Sequence, residues 1–557
     1  MTSGLLVASL LALFGPDLVA HVRYAADFWH FSQDAQQQTW PFLRAADPQL
    51  FRGDYIADFY LAHFPIGYRF LYELSAPVLD PRLLGKVLPY VELAVVLYAL
   101  ITATWSLAGP AAAWGTGAIA LGADIYLSRM GGGLPRSFAF PLAALAVLAL
   151  VRGKPTMLLV LTVVATAFYY PTALLLGVTT AAYLWALPAP WRGEAETWSL
   201  RRRVGAVGAA AAVVMMLALP PWLAGRPFGP PLRPVDAPAY PEMTLGGRYA
   251  PADLPTPGAL RAVAVERAAR PLVVHGRPWI PDLYMVPKDA VKKQLLTGAV
   301  AGAVIASYVW LFAVNVGARR LLPLILSAFV LYELSLLASP YLYIPERYIV
   351  YSLPLLTPVI VPAAIACAMR RRAHSRAACT AAGAVVVALV ALVIVAIGGR
   401  GLRHSGIDVA IPPAHRPLYA FLATLPPDAL IAGWPDRVLD AVPYASARKI
   451  LVGYEIHQAM HKRYAEEMRR RMQALITAYF ARDPTVLRQL RDEFGVTHLL
   501  VNRAHYTRPP TYFAPFGGMI VSAAVSSRGR PAAVRESERA AVFAEGPFIV
   551  LDLRRLG

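Results

Sequence analysis

Residues 84–107, 204–223, 295–314 and 379–397 are each a run of about 20 mostly apolar residues, the length an α-helix needs to cross the hydrocarbon core of a bilayer. No soluble fold accommodates so many such runs. Of the 557 residues, 57% are hydrophobic and only 16% charged, well below the charged fraction of soluble domains. The same criterion picks out eleven segments in all, adding 4–22, 110–127, 137–151, 156–170, 171–188, 321–338 and 349–369. The segment at 4–22 has neither a basic flank nor a small-residue cleavage site, so it reads as a retained span, weakened by Pro16 and Asp17.

The net charge of +19 invites a nucleic-acid partner, but the arginines sit in short clusters between apolar runs. Such clusters orient a membrane protein and face lipid headgroups. With the N-terminus inside, the inner turns hold Arg152 and Lys154, Arg192 and Arg201–Arg203, Arg319 and Arg320, and Arg370–Arg372 with Arg376. The short outer turns hold only Arg129, Arg136 and Arg347. Merging 156–170 with 171–188 across Tyr169-Tyr170-Pro171 would invert everything downstream and throw the clusters outside. Eleven spans therefore fit better than ten. Cys367 and Cys379 flank an arginine-rich inner turn, where neither a disulfide nor a metal site is expected.

This topology divides the chain into a membrane part, 1–397, with outer loops at 23–83 and 224–292, and an outer C-terminal part, 398–557. The 224–292 loop is rich in proline and reads as irregular structure over the outer surface. The C-terminal part alternates strand-like runs at 429–433, 497–501 and 548–551 with amphipathic helices at 459–480 and 485–494, the pattern of a small α/β domain.

Three clusters can carry chemistry. In the first outer loop, Asp34 follows Trp29 and Phe31 where a helix leaves the bilayer, and Asp54 and Asp58 stand four apart. Carboxylates there can act as general bases or hold a divalent cation; the plainer alternatives are a helix cap at Asp34 and solvated acids at Asp54 and Asp58. The second is Ser128-Arg129-Met130-Gly131-Gly132-Gly133-Leu134-Pro135-Arg136-Ser137, whose glycines allow close backbone approach and whose arginines suit a phosphate, or merely lipid headgroups. The third surrounds Glu346 and Arg347 among four tyrosines, where Arg347 serves a lipid phosphate or pairs with Glu346. Within the spans, Lys86, Glu92, Asp124 and Glu333 are costly in lipid and are expected to face the bundle interior or, near the outer ends, to snorkel. His457, His461 and Glu466 lack the spacing of a zinc hydrolase.

With Asp34 in a large first outer loop, Gly133-Leu134-Pro135-Arg136-Ser137-Phe138 entering a span, Tyr169-Tyr170-Pro171 between short spans and a folded outer C-terminal part, the chain resembles the GT-C class of integral membrane glycosyltransferases. The resemblance implies a multi-pass bacterial inner-membrane enzyme that moves a sugar from a polyprenyl-phosphate donor to an envelope glycan, lipid or protein acceptor at the outer face, with inversion. It places an acidic base or metal partner at Asp34, with Asp54 and Asp58 as second choices. By charge and side, Arg129, Arg136 and Arg347 would meet the carrier phosphate. Magnesium or manganese is the cofactor it admits. The chain lacks the side-by-side acidic pair that several members carry, which leaves metal dependence and the base open. Two other classes remain: a transporter or flippase for a lipid-linked or anionic substrate, requiring Glu92 or Glu333 along its route, and a non-catalytic assembly factor.

Overall fold

The computed structural model describes residues 3–243, 246–248, 290–337, 345–372, 402–527 and 531–556. The predicted span at 379–397, Cys379 and most of the proline-rich loop lie outside the described residues.

The other ten predicted segments fall on helices: Ser3–Ala26, Pro81–Ala108, Pro110–Gly122, Ala139–Arg152, Pro155–Phe168, Tyr170–Ala181, Leu200–Ala224, Ala290–Val314, Leu322–Leu337 and Leu356–Arg372. Among the described residues, five helical segments are long and apolar enough to span a bilayer by themselves. They become six if Gly302–Val314 and Val316–Ser335, bent by 113° at Asn315, count as one. The molecule is thus a multi-pass membrane protein. Pro155–Phe168 and Tyr170–Ala181 are separate antiparallel helices: Thr162 Oγ1 lies 3.5 Å from Thr180 Oγ1 across the Tyr169 turn. The first helix runs unbroken through Pro16, and Asp17 in it accepts from Arg403 Nε at 3.0 Å.

The clustered arginines gather at one end of the bundle, where they serve the exposed carbonyls of helix C-termini. Arg320 Nη1 donates to Val151 O at 3.0 Å, Arg319 Nε to Phe312 O at 2.6 Å, and Arg203 Nη1 to Leu184 O at 3.0 Å. The opposite end carries the first outer loop, the glycine turn and the C-terminal part.

That outer end is tied together by β-structure as well as packing. Strand β1 (His30–Phe31) pairs antiparallel with β2 (Val409–Ala410), so the exit of the first helix is joined to the entry of the C-terminal part. The latter holds a five-stranded mixed sheet of β3 (Leu430–Gly433), β4 (Lys449–Ile450), β5 (His498–Asn502), β6 (Ala541–Glu545) and β7 (Phe548–Asp552), in the order β4-β3-β5-β7-β6. Helices Lys462–Tyr479 and Pro484–Phe494 bury their apolar faces in it. The first outer loop belongs to the same core: Phe31, Trp40, Phe42, Phe51, Phe59 and Tyr68 pack in one continuous cluster with Ile431, Tyr464, Met468 and Leu499.

Helix Ile66–Ser75 has two unlike faces. Tyr68 and Tyr72 are fully buried, while Phe70 and Leu74 point outward, about two-thirds exposed. An uncovered apolar stripe immediately before a span is the signature of a helix lying in the membrane interface.

Candidate active site

Asp34 precedes the short helix Ala35–Gln38, yet its side chain makes no capping hydrogen bond. The carboxylate instead forms an ion pair with Arg136 Nη1 through Oδ2 and accepts from Gln37 Nε2 at 3.2 Å through Oδ1. Arg136 lies on the 3₁₀ turn Pro135–Phe138, which opens the Ala139–Arg152 helix. The first and second predicted clusters therefore meet.

The glycines explain how. Gly132 and Gly133 have φ of +87° and +58°, which L side chains rarely adopt. A Cβ on Gly132 would come within 2.9 Å of Ala35 Cβ, and one on Gly133 within 2.9 Å of Gly85 Cα. The turn is wedged between the Asp34 segment and the Pro81–Ala108 helix, where Tyr72 Oη donates to Gly133 O at 2.7 Å. Beneath Arg136, Glu92 Oε1 lies 2.5 Å from Ser137 Oγ, which also contacts Leu134 O at 2.7 Å. Glu92 is buried in the bundle as expected, as a clamp on the Arg136 turn. Glu333 departs from the expected interior position: it is exposed, one turn from the outer end of its helix, where a carboxylate can reach the interface.

The remaining predicted residues lie apart from this pair. Asp54 caps helix Tyr55–His63, its Oδ1 accepting from Ile56 N and Ala57 N at 2.8 Å each. Burial raises its pKa, and the two backbone donors oppose that shift. Asp58 pairs with Arg44 Nη1 at 2.6 Å. Arg129 is exposed on the neighbouring helix Ile125–Met130. Arg347 Nη1 bonds Tyr351 Oη at 2.7 Å; Tyr341–Ile344 of its cluster lie outside the described residues. His457, His461 and Glu466 do not converge: His457 meets Tyr512, His461 lies against His63 with ring centres 4.3 Å apart and planes tilted by 53°, and Glu466 accepts from Tyr240.

An open cleft adjoins the glycine turn, lined by His21, His30, Arg82, Lys86, Tyr90 and Tyr444 among others. Lys86 Nζ donates to Asp27 O at 2.5 Å, so it reaches the outer rim; two ammonium hydrogens remain for an anion. Arg82 is held by Asp80 at 2.6 Å and by Tyr444 O at 2.8 Å. From the sequence Lys86 is expected to face the bundle interior or to snorkel; its place near the start of a span, on the side of the acidic loop, was the available signal.

Among the described residues, no three His, Cys, Asp or Glu side chains stand close enough to hold a metal ion. The cation beside Asp34 is a guanidinium, so this donor set does not fit a divalent metal.

No protein-family model and no curated protein matches the sequence. Solved structures do match the fold. ArnT from Cupriavidus metallidurans in the apo state superposes with a TM-score of 0.54 and 13% identity, covering 98% of both chains. The Archaeoglobus fulgidus oligosaccharyltransferase in complex with zinc and sulfate gives a TM-score of 0.50 and 11% identity, over 96% of this chain and 71% of that one. The fold is that of the GT-C glycosyltransferases. It extends over essentially the whole chain, the C-terminal part included.

Proposed function

We propose that the protein is a bacterial inner-membrane glycosyltransferase. In this reading it moves a sugar from a polyprenyl-phosphate donor to a hydroxyl of an envelope glycan, lipid or protein at the outer face, with the N-terminus inside and the C-terminal part outside. The observation that carries it is the Asp34–Arg136 pair, held by a glycine turn at the end of the bundle away from the clustered arginines and next to a cationic cleft.

Asp34 is the general base. It takes the proton of the acceptor hydroxyl as that oxygen bonds the anomeric carbon, and the bond from that carbon to the carrier phosphate breaks with inversion. Arg136 orients the carboxylate toward the acceptor. Lys86, with Arg82 at the cleft rim, offsets the charge of the departing polyprenyl phosphate. Arg129 and Arg347 are more distant contributors to the same positive rim. Asp54 and Asp58 support the loop that carries the base. No step passes through a metal ion.

A transporter requires Glu92 or Glu333 along a route across the bilayer. The Glu92 contact with Ser137 and the exposed, outer position of Glu333 weigh against it.

The test is reconstitution in nanodiscs with a panel of undecaprenyl-phosphate-linked hexoses and pentoses carrying a radiolabel, plus envelope extract as acceptor. A transferase releases undecaprenyl phosphate and labels the acceptor covalently. Translocation of intact labelled lipid in vesicles, with no covalent product, would instead establish the flippase.

A further inference from the structure

Glu455 belongs to the C-terminal part, between β4 and helix Lys462–Tyr479, and 9% of it is exposed. Its hydrogen-bond donors come from two other regions of the chain. From the first outer loop, Gln33 Nε2 donates to Oε1 at 2.6 Å and Gln37 Nε2 to Oε2 at 3.2 Å; from the proline-rich loop, Arg248 Nη2 donates to Oε2 at 2.5 Å. Arg248 also lies over the ring of Tyr454, 4.3 Å from its centre.

Gln37 is the connection to the reacting centre. Its amide nitrogen has two hydrogens, and it stands 3.2 Å from Asp34 Oδ1 and 3.2 Å from Glu455 Oε2. One hydrogen goes to each carboxylate, and because the amide is planar, the direction of one fixes the direction of the other. The result is a hydrogen-bonded chain, Arg136–Asp34–Gln37–Glu455–Arg248, in which a neutral amide bridges two arginine-paired carboxylates and which crosses from the membrane part to the C-terminal part. Asp440, next in from Glu455, is raised well above the usual carboxylate range, by burial first and by the Glu455 charge second.

We propose that Glu455 is a positioning residue for sugar transfer: through Gln37 it holds the Asp34 carboxylate in the direction a base needs, so the base is aligned only while the C-terminal part is docked on the first outer loop. The proposal rests on the reading of Asp34 as base. A displacement of about 1 Å at a reacting group can cost about 10²-fold in rate, so the effect falls on kcat.

The experiment uses the full-length protein in nanodiscs and whichever undecaprenyl-phosphate-linked sugar of the panel the wild type consumes. Glu455→Gln is expected to lower kcat by about ten- to a hundredfold, with donor KM and undecaprenyl phosphate affinity within about twofold of wild type. Glu455→Asp should recover part of the loss. Gln37→Met, close in shape and without the amide, should give a similar loss, and the double variant should be no worse than either single one. If Glu455→Gln fails to fold, Gln37→Met still reads the linkage. Wild-type kcat in either single variant, or losses that multiply in the double variant, would overturn the proposal. An inactive Asp34→Asn beside a fully active Glu455→Gln removes this inference alone; a fully active Asp34→Asn removes the base and this inference together.

Discussion

The bundle and the outer assembly are built from different materials. In the bundle, Ala99, Ala103, Ala112, Ala118, Ala143 and Ala146 are fully buried, and the polar contacts are small ones, such as Thr116 Oγ1 with Pro358 O at 2.7 Å. Between helices in lipid there is no hydrophobic gain from association, so close backbone approach and short hydrogen bonds carry the packing. The outer assembly faces water and uses large rings instead. Phe59 stacks on Tyr464 with centres 3.8 Å apart, Phe42 on Tyr72 at 4.7 Å, and Phe31 against Tyr444 at 4.3 Å. Two of these three pairs join the first outer loop to the C-terminal part. The loop carrying Asp34 is thus the aromatic half of a hydrophobic core, and the C-terminal part is its other half.

The rings should give the largest effect. Phe59→Ala should cost about 3–5 kcal/mol and release the C-terminal part to protease while the bundle stays folded. Leu100→Ala, in the bundle, should lower the detergent melting temperature without exposing that part. Similar proteolysis of both variants would mean the two regions do not unfold separately.

Glycine packing where the regions meet should matter next. Gly133→Ala places a side chain at positive φ against Gly85 and Tyr72. A loss of about 1–3 kcal/mol is expected, together with a drop in transfer larger than the drop in folded protein, because the Arg136 turn moves. Equal drops would make the glycine turn structural only.

The smallest effect is electrostatic. His461 is held down to about 4, by burial first and then by the charge of His63, whose own pKa burial also lowers. A histidine with a depressed folded pKa binds fewer protons folded than unfolded, so its contribution is complete above about pH 6.5 and lost as pH falls toward 4. Limited proteolysis should therefore free the C-terminal part progressively over that window, and His63→Phe should flatten the dependence. An unchanged profile would exclude the pair as its source.

Much of the bundle was legible in the sequence because spans need length and apolarity, and charge bias marks their ends. The turn at Tyr169 and the helices at 462–479 and 484–494 were legible for similar reasons of pattern. The aromatic core was not, since Trp40, Phe42, Phe51 and Phe59 are spread along a segment with no strand or helix periodicity long enough to read. Strands of two residues, β1, β2 and β4, leave no periodic trace at all. At the site, Asp34 and Arg136 could each be singled out from residue type and side of membrane, but their pairing depends on a glycine turn whose geometry the sequence only permits. Glu455 lay hidden because its partners, Gln33, Gln37 and Arg248, are hundreds of residues away along the chain.

The most direct measurement is the initial rate of label transfer by Asp34→Asn in nanodiscs, with folded yield and undecaprenyl phosphate affinity matched to wild type. Loss of a general base predicts a fall of about 10²–10⁴-fold with both of those unchanged. Transfer at the wild-type rate would contradict the account at its centre.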